Sequence, residues 1–293
     1  MTLEAPNLSG KTALITGANQ GIGKAAAIAL GKMGAKLVLV CRNIDKAKAA
    51  IQEIRASGAG EAELIQADVS SLADLQRAAD TFRRYHDRLD VLLNNAGMLV
   101  TENRTSVDGF EMTFATNHLG YFYLTHLLQE PLRRAPAARV VNVASDAHYF
   151  GWVNFDRLQH RRGFYSAWLT YCDSKLLNVI FTLELARRLE GTAVTANCLH
   201  PGVIGSGFAK TDGGFTARVA QLARPLLLTP EEGAKTSVFL SASPEVEGKT
   251  GRYWYKHRER PVGFQARNPE TAARLWALSE ELCGLRGGVS AQG

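Results

Sequence analysis

The chain has 293 residues, 46% of them hydrophobic and 21% charged, with 27 glycines. Such a composition excludes collagen, coiled coil and a disordered chain, and at this length points to one large domain over residues 1–293. Lys and Arg total 34 against 28 Asp and Glu, and the net charge of +6 is scattered, which excludes a nucleic-acid-binding tail and leaves a weak preference for small anionic ligands.

Cys41, Cys172, Cys198 and Cys283 form no CxxC or Cys/His ligand pattern, so neither a metal site nor a disulfide framework is expected, and a reducing compartment is. No apolar run approaches the roughly 20 residues of a membrane helix. Residues 1–11 lack a signal peptide's apolar stretch and the C-terminus lacks a prenylation box, so cytoplasmic residence without an integral membrane segment is the expectation.

From Lys11 onward, short apolar runs alternate with segments of helical period, the rhythm of βαβ units. Seven strands are expected, at Thr12–Thr16, Lys36–Val40, Glu63–Ala67, Val91–Asn94, Arg139–Val143, Val194–Cys198 and Gly251–Tyr255. Helical patterns fall at Ile22–Met33, Asp45–Ala56, Leu72–His86, Gly109–Leu132, Trp168–Leu189, Pro230–Ser241 and Glu270–Leu282. The near-continuous apolar strands ALIT, LVLV and VVNV suit a parallel sheet covered on both faces, so the fold class is α/β, a doubly wound Rossmann domain. Two stretches, approximately 146–167 and 202–229, are longer than a connection needs and follow strands, where ligands bind such sheets.

The first strand runs directly into Thr16-Gly17-Ala18-Asn19-Gln20-Gly21-Ile22-Gly23, which opens the first helix. Gly17 allows the tight turn, Gly21 the approach of backbone to a pyrophosphate and Gly23 the packing of helix on strand, while the helix dipole favours negative charge. Just past the second strand comes Cys41-Arg42-Asn43 where an acidic ribose ligand often stands. A guanidinium there pairs with a 2′-phosphate, which favours NADP(H) over NAD(H). The competing reading leaves Arg42 solvated and has Asp45 reach the ribose.

Tyr171 and Lys175 are four residues apart, on one helix face, where an ammonium favours the phenolate and lowers a pKa that is about 10 in the free phenol. Ser145, at the end of VVNVAS, is a hydrogen-bond donor for a substrate oxygen. His118, His126, His148 and His200 are not spaced as a metal-ligand set, and His148 and His200 read as loop and strand-end hydrogen-bonding residues. The aromatic run Tyr149, Phe150, Trp152, Phe155, Phe164, Tyr165 and Trp168 fits an apolar substrate wall and ordinary core packing equally well.

The TGANQGIG loop, Asp68-Val69, Asn94-Asn95-Ala96-Gly97, Asn117, Ser145, Tyr171-Cys172-Asp173-Ser174-Lys175 and Pro201-Gly202 stand in an order that resembles the short-chain dehydrogenase/reductase family over about the whole chain. The segment SDAHYFGWVNFDRLQ, the HPGV turn and the C-terminal KTGRYWYKHRER…ARLWALSEELCGL resemble its retinol-dehydrogenase-like branch. The resemblance implies NADP(H)-dependent interconversion of an apolar aldehyde or ketone with its alcohol, without a metal. It implies Tyr171 as acid/base, Lys175 as ribose ligand and tuner of Tyr171, Ser145 orienting substrate and Asn117 supporting a proton-relay water. Coenzyme contacts are implied for Gly17, Asn19, Gln20, Gly21, Ile22, Gly23, Arg42, Asp68, Val69, Asn95, Ala96, Gly97, Tyr171, Lys175, Pro201, Gly202, Val203 and Ser206. A homodimer through the helices starting at Gly109 and Trp168 is one assembly it offers. Gln20 adds no second cation to the glycine loop, no stretch matches the branch's N-terminal membrane anchor, and Gly205-Ser206 stands where Arg-Thr is usual. Two other readings stay open: a catalytically silent NADPH-sensing scaffold, and a reductase of a conjugated C=C bond.

Overall fold

The computed structural model describes residues 6–158, 165–203 and 228–285. Its framework is a single sheet built from β1 (Thr12–Thr16), β2 (Lys36–Cys41), β3 (Ala62–Gln66), β4 (Val91–Asn94), β5 (Arg139–Val143), β6 (Thr195–Leu199), β7 (Arg252–Tyr255) and β8 (Arg258–Arg260). Their order is β3-β2-β1-β4-β5-β6-β7-β8. Every pairing up to β7 is parallel, and β8 closes the edge antiparallel to β7.

Alternate residues of the central strands feed two cores. Leu14, Val38 and Val40 join α3 (Leu72–Tyr85), α5 (Gly120–Leu127), α7 (Ala167–Arg188) and α9 (Pro269–Leu282) on one face. Ala13, Ile15, Leu37 and Leu39 join α1 (Gly21–Lys32), α2 (Ile44–Ala56) and α8 (Pro230–Ala242) on the other. Strands buried on both faces are why these runs read as continuously apolar.

The expected seven strands become eight. After β7 the chain turns through Lys256 and His257, at φ 49° and 61°, and returns as β8. Two consecutive left-handed residues make a type I′ hairpin turn, normally signalled by Asn-Gly or Asp-Gly. Lys-His carries no such signal, so the strand was invisible in the sequence.

The single helix expected over Gly109–Leu132 is interrupted. Gly109 sits at φ +85°, and the helix begins after Glu111, whose buried carboxylate accepts the N–H groups of Thr113 and Phe114. A short α4 (Met112–Phe114) passes into a π turn (Ala115–Leu119), closed by Gly120 N–H donating to the Ala115 carbonyl five residues back, and then into α5. At Leu128 the chain breaks again before α6 (Gln129–Arg134), whose third residue is Pro131. Proline is tolerated in a first turn and not in a continuous helix, so Pro131 forces the restart.

Trp276 of α9 packs edge-on against Phe122 of α5, with ring centroids 5.0 Å apart, and against Phe181 of α7 at 6.0 Å. Arg188 lies over its indole at 4.2 Å. The C-terminal helix α9 thus covers part of α5 and α7. No helix among the described residues is long and apolar enough to cross a membrane.

Candidate active site

The strand order reverses between β1 and β4, and the loops leaving their C-terminal ends diverge into a crevice. Thr16 ties its floor together. Its hydroxyl accepts the N–H groups of Asn95 and Ala96, both at 2.9 Å, while the Asn95 amide donates to the carbonyls of Thr16 at 2.9 Å and Gly17 at 3.3 Å. This closeness is what demands glycine. A Cβ on Gly17, which sits at φ +67°, would stand 2.9 Å from Ala96 Cα, and one on Gly23 would stand 2.4 Å from Asn95 Nδ2 and 2.6 Å from the Gly17 carbonyl.

Gln20 stands at the N-cap of α1 in an extended conformation without a side-chain cap, and the first turn holds no acidic residue. The leading N–H groups and positive dipole end of α1 are thus available to an anion. The glycine cradle and uncapped helix fit the pyrophosphate of a dinucleotide. Asn19 and Ile22 flank this turn, and the N–H groups of Ala18 and Asn19 bond to the buried Cys41 thiol, whose pKa burial nevertheless raises. Sequence reasoning named Cys41 among the four cysteines and beside Arg42, not as a partner of the glycine loop.

Arg42, at the end of β2, pairs with Asp68 at 3.0 Å, with 65% of its own side chain exposed. Burial pushes the Asp68 carboxyl up, but hydrogen bonds from Ser70 and Arg42 outweigh it and hold the group below its ordinary value. Arg42, read from the sequence as a 2′-phosphate partner, and Asp68, implied only as a coenzyme contact, form one ion pair. Beside Asp68, the Val69 carbonyl would lie 2.5 Å from a Cβ on Gly120, so the loop after β3 rests directly on the start of α5.

Deeper in the crevice, the other named residues meet. A Cβ on Gly97 would be 3.4 Å from both Asn117 Oδ1 and Lys175 Nζ. Asn117, in the π turn, donates to the Met98 carbonyl and the Ser174 hydroxyl, both at 2.9 Å, and accepts the Met98 N–H at 2.8 Å. Ser174 donates in turn to the Tyr171 carbonyl at 2.8 Å. Lys175 is buried, donates to the Val143 carbonyl at 2.9 Å, and places Nζ 5.5 Å from the centre of the Tyr171 ring. Ser145, following β5, is hydrogen-bonded to the Tyr171 side chain and accepts the Ala147 N–H at 3.2 Å. Thr16, Ser174 and the Val143 carbonyl are site members that sequence reasoning missed; Thr16 and Ser174 lay within the quoted motifs, whereas a backbone carbonyl leaves no sequence signal.

The electrostatics differ from the expectation that the ammonium pulls the phenol down. Burial pushes Tyr171 up to about 12, against the lowering effect of its bond with Ser145, and pushes Lys175 down to about 7. Burial penalises each charged form.

The aromatic run divides. Tyr149 bonds the Pro261 carbonyl at 2.6 Å, Tyr165 bonds the Val100 carbonyl at 2.9 Å, and Phe155 packs on the core beneath Arg274. Trp168 approaches the reactive centre, with its ring 6.2 Å from Tyr171. Phe150 and Trp152 are exposed. His148 bonds the Ser145 carbonyl at 2.8 Å and accepts the Gly263 N–H at 3.1 Å, and His200 accepts the Asp146 N–H at 3.3 Å. Pro201, Gly202 and Val203 follow β6, with Gly202 at φ +91° and the Val203 carbonyl accepting the Leu228 N–H at 2.9 Å. Phe164, Gly205, Ser206, Phe208 and Phe215 lie outside the described residues.

Residues 11–213 match the family model described as short chain dehydrogenase. Human Retinol dehydrogenase 14 is 39% identical over 300 residues, covering 95% of this chain and 88% of the relative. Human Retinol dehydrogenase 12 is 40% identical over 280 residues, with the same coverage. Among solved structures, an uncharacterized protein from Mycobacterium Paratuberculosis superposes with a TM-score of 0.77 at 34% identity, over 96% of both chains.

The packing around Gly23 yields a test. Gly23→Ala forces a Cβ into the Asn95 amide and the Gly17 carbonyl, so it is expected to weaken dinucleotide binding at least tenfold in a fluorescence titration and to lower the melting temperature. Unaltered binding would show that the loop opens without harm to the cradle.

Proposed function

The chain belongs to the short chain dehydrogenase family, and we propose that it interconverts an apolar aldehyde or ketone with its alcohol, using NADP(H). The observation that carries this reading is the convergence of Asn117 and Lys175 on Gly97, with Tyr171 beside Lys175 and bonded to Ser145, next to a glycine cradle and an uncapped helix end. When bound, the nicotinamide coenzyme supplies or accepts the hydride. In the reducing direction Ser145 donates a hydrogen bond to the carbonyl oxygen, and Tyr171 delivers its proton to that oxygen as the carbon is reduced. Burial keeps Tyr171 protonated near neutral pH, the state a proton donor requires. In the oxidising direction the phenolate oxygen of Tyr171 takes the alcohol proton, and a charged Lys175 favours that phenolate beforehand. Asn117 and Ser174 fix the helix turn that carries both groups.

NADP(H) is favoured by Arg42. Its pair with Asp68 is largely exposed, and such pairs contribute about 1 kcal/mol or less, so the guanidinium exchanges Asp68 for a 2′-phosphate at little cost. The apolar substrate class is supported by Trp168 beside Tyr171, by the exposed side chains of Leu169 and Val203, and by the likeness to Retinol dehydrogenases 14 and 12. We place the protein in a reducing compartment, the cytoplasm, since its four cysteines are buried free thiols.

Initial rates with NADPH and NADH across aliphatic and aromatic aldehydes and ketones test the reading. Efficiency is expected to rise with apolar size, by up to about 0.8 kcal/mol per methylene, until the pocket is full. A flat series, or a charged sugar as best substrate, would remove the apolar class. Tyr171→Phe is expected to lower turnover at least 10²-fold while NADPH still binds; near-normal turnover would sink the acid/base assignment. Arg42→Ala is expected to shift the ratio of NADP(H) to NAD(H) efficiency about tenfold towards NAD(H). An unchanged ratio would place the phosphate contact elsewhere.

A further inference from the structure

We propose that His118 and Ser279 form a clasp that holds Asn117 in its active-site register, making the C-terminal helix α9 a positioning element for the reaction. The inference rests on the reading above, in which Asn117 serves the site. It begins from the π turn. One residue more than an α-helical turn is accommodated between Ala115 and Leu119. Relaxation of that turn to α-helical geometry would shift the following residues by one position, a rotation of about 100°. Asn117 would then leave its contacts with Met98 and Ser174.

Two side chains grip the turn. Asn117 is tied towards the crevice, as described above. The next residue, His118, is fully buried and enters an aromatic box, stacked on Phe114 at 5.5 Å and edge-on to Phe181 at 6.1 Å. Its Nε2 lies 2.9 Å from the Ser279 hydroxyl oxygen. That hydroxyl already donates to the Leu275 carbonyl at 2.8 Å, so the bond is formed by His118 Nε2–H donating to Ser279. His118 Nδ1 is buried without a partner. A phenylalanine would fill the same box without desolvating two ring nitrogens, so the local packing gives no reason for imidazole beyond the bond across to α9. Burial pushes His118 down to about 3, so the imidazole stays neutral and the clasp persists through the neutral range.

The far end of the clasp is itself anchored. The α9 helix starts at Pro269, with Asn268 accepting the N–H groups of Glu270 and Thr271. Trp276, one turn before Ser279, is held between Phe122, Phe181 and Arg188. A fixed helix thus grips the residue next to Asn117 from the side away from the crevice.

The test compares Ser279→Ala, His118→Phe/Ser279→Ala and His118→Gln in the full chain. Turnover, KM, NADPH affinity, melting temperature and amide hydrogen exchange of residues 112–127 are measured for each. Replacing both partners by apolar groups removes the bond without leaving a buried donor unpaired, so the double variant is expected to melt within a few degrees of the parent. Its turnover is expected to fall roughly 10- to 100-fold with NADPH affinity unchanged, and its π turn to lose exchange protection. Ser279→Ala is expected to move in the same direction. His118→Gln, whose Nε2 reaches a similar position, is expected to restore part of the loss. Parental turnover and exchange in the double variant, or loss of turnover only in step with melting temperature, would overturn the clasp. Asn117→Ala separates the two claims: if it turns over normally, the role of Asn117 fails, while the exchange pattern still decides whether His118 and Ser279 hold the turn.

Discussion

The hydroxyl of Thr16, accepting two backbone N–H groups from the loop after β4, is the interaction on which the site depends. It joins the ends of two neighbouring strands whose connections leave in different directions, which is what keeps a crevice open at the sheet edge. Asn95 completes the bond set from the other side. Because these loop groups satisfy one another, the leading N–H groups of α1 are not drawn into the protein and face the crevice. The same closeness removes room for side chains at positions 17 and 23, so the glycines follow from the knot as much as from any ligand.

Behind the knot lies a pair of groups whose charges are both suppressed. Lys175 is buried with the Val143 carbonyl as partner, and Tyr171 is half-buried and bonded to Ser145. Neither group is driven to ionise by the protein alone. On the proposed reading, Lys175 would hold ribose hydroxyls of the coenzyme, and hydrogen bonds to the ammonium would favour its charged form and, through it, the phenolate needed for alcohol oxidation.

What was legible in the sequence was local. All seven expected strands coincide with those observed to within one residue at each end, because a strand buried on both faces is written as a short apolar run. Tyr171, Ser174 and Lys175 share a helix turn, and the four residues from Asn94 to Gly97 share a strand end, so their proximity is carried by spacing alone. What was hidden depends on single residues with no periodic signature. An inserted residue at 115–119 leaves the hydrophobic pattern almost intact, and Lys256-His257 adopt left-handed geometry without the usual turn chemistry. The joining of Arg42 to Asp68 is a tertiary contact across 26 positions. The aromatic run misled for a related reason: periodicity reports that a ring is buried, not whether it faces the core, a neighbouring loop or the crevice.

The C-terminal helix shows how the same packing both closes one surface and supports another. Trp276 is only 6% exposed, seated on Phe122 and Phe181. Burial of a side chain of that kind contributes at least about 2 to 3 kcal/mol, which a second copy approaching this part of α5 and α7 would have to displace. That patch is therefore committed to an internal partner. The packing of α9 on α5 and α7 backs the helices that carry Asn117, Ser174 and Lys175. Rigidity at the reactive centre thus comes from a segment near the end of the chain, outside the 11–213 span that carries the family pattern.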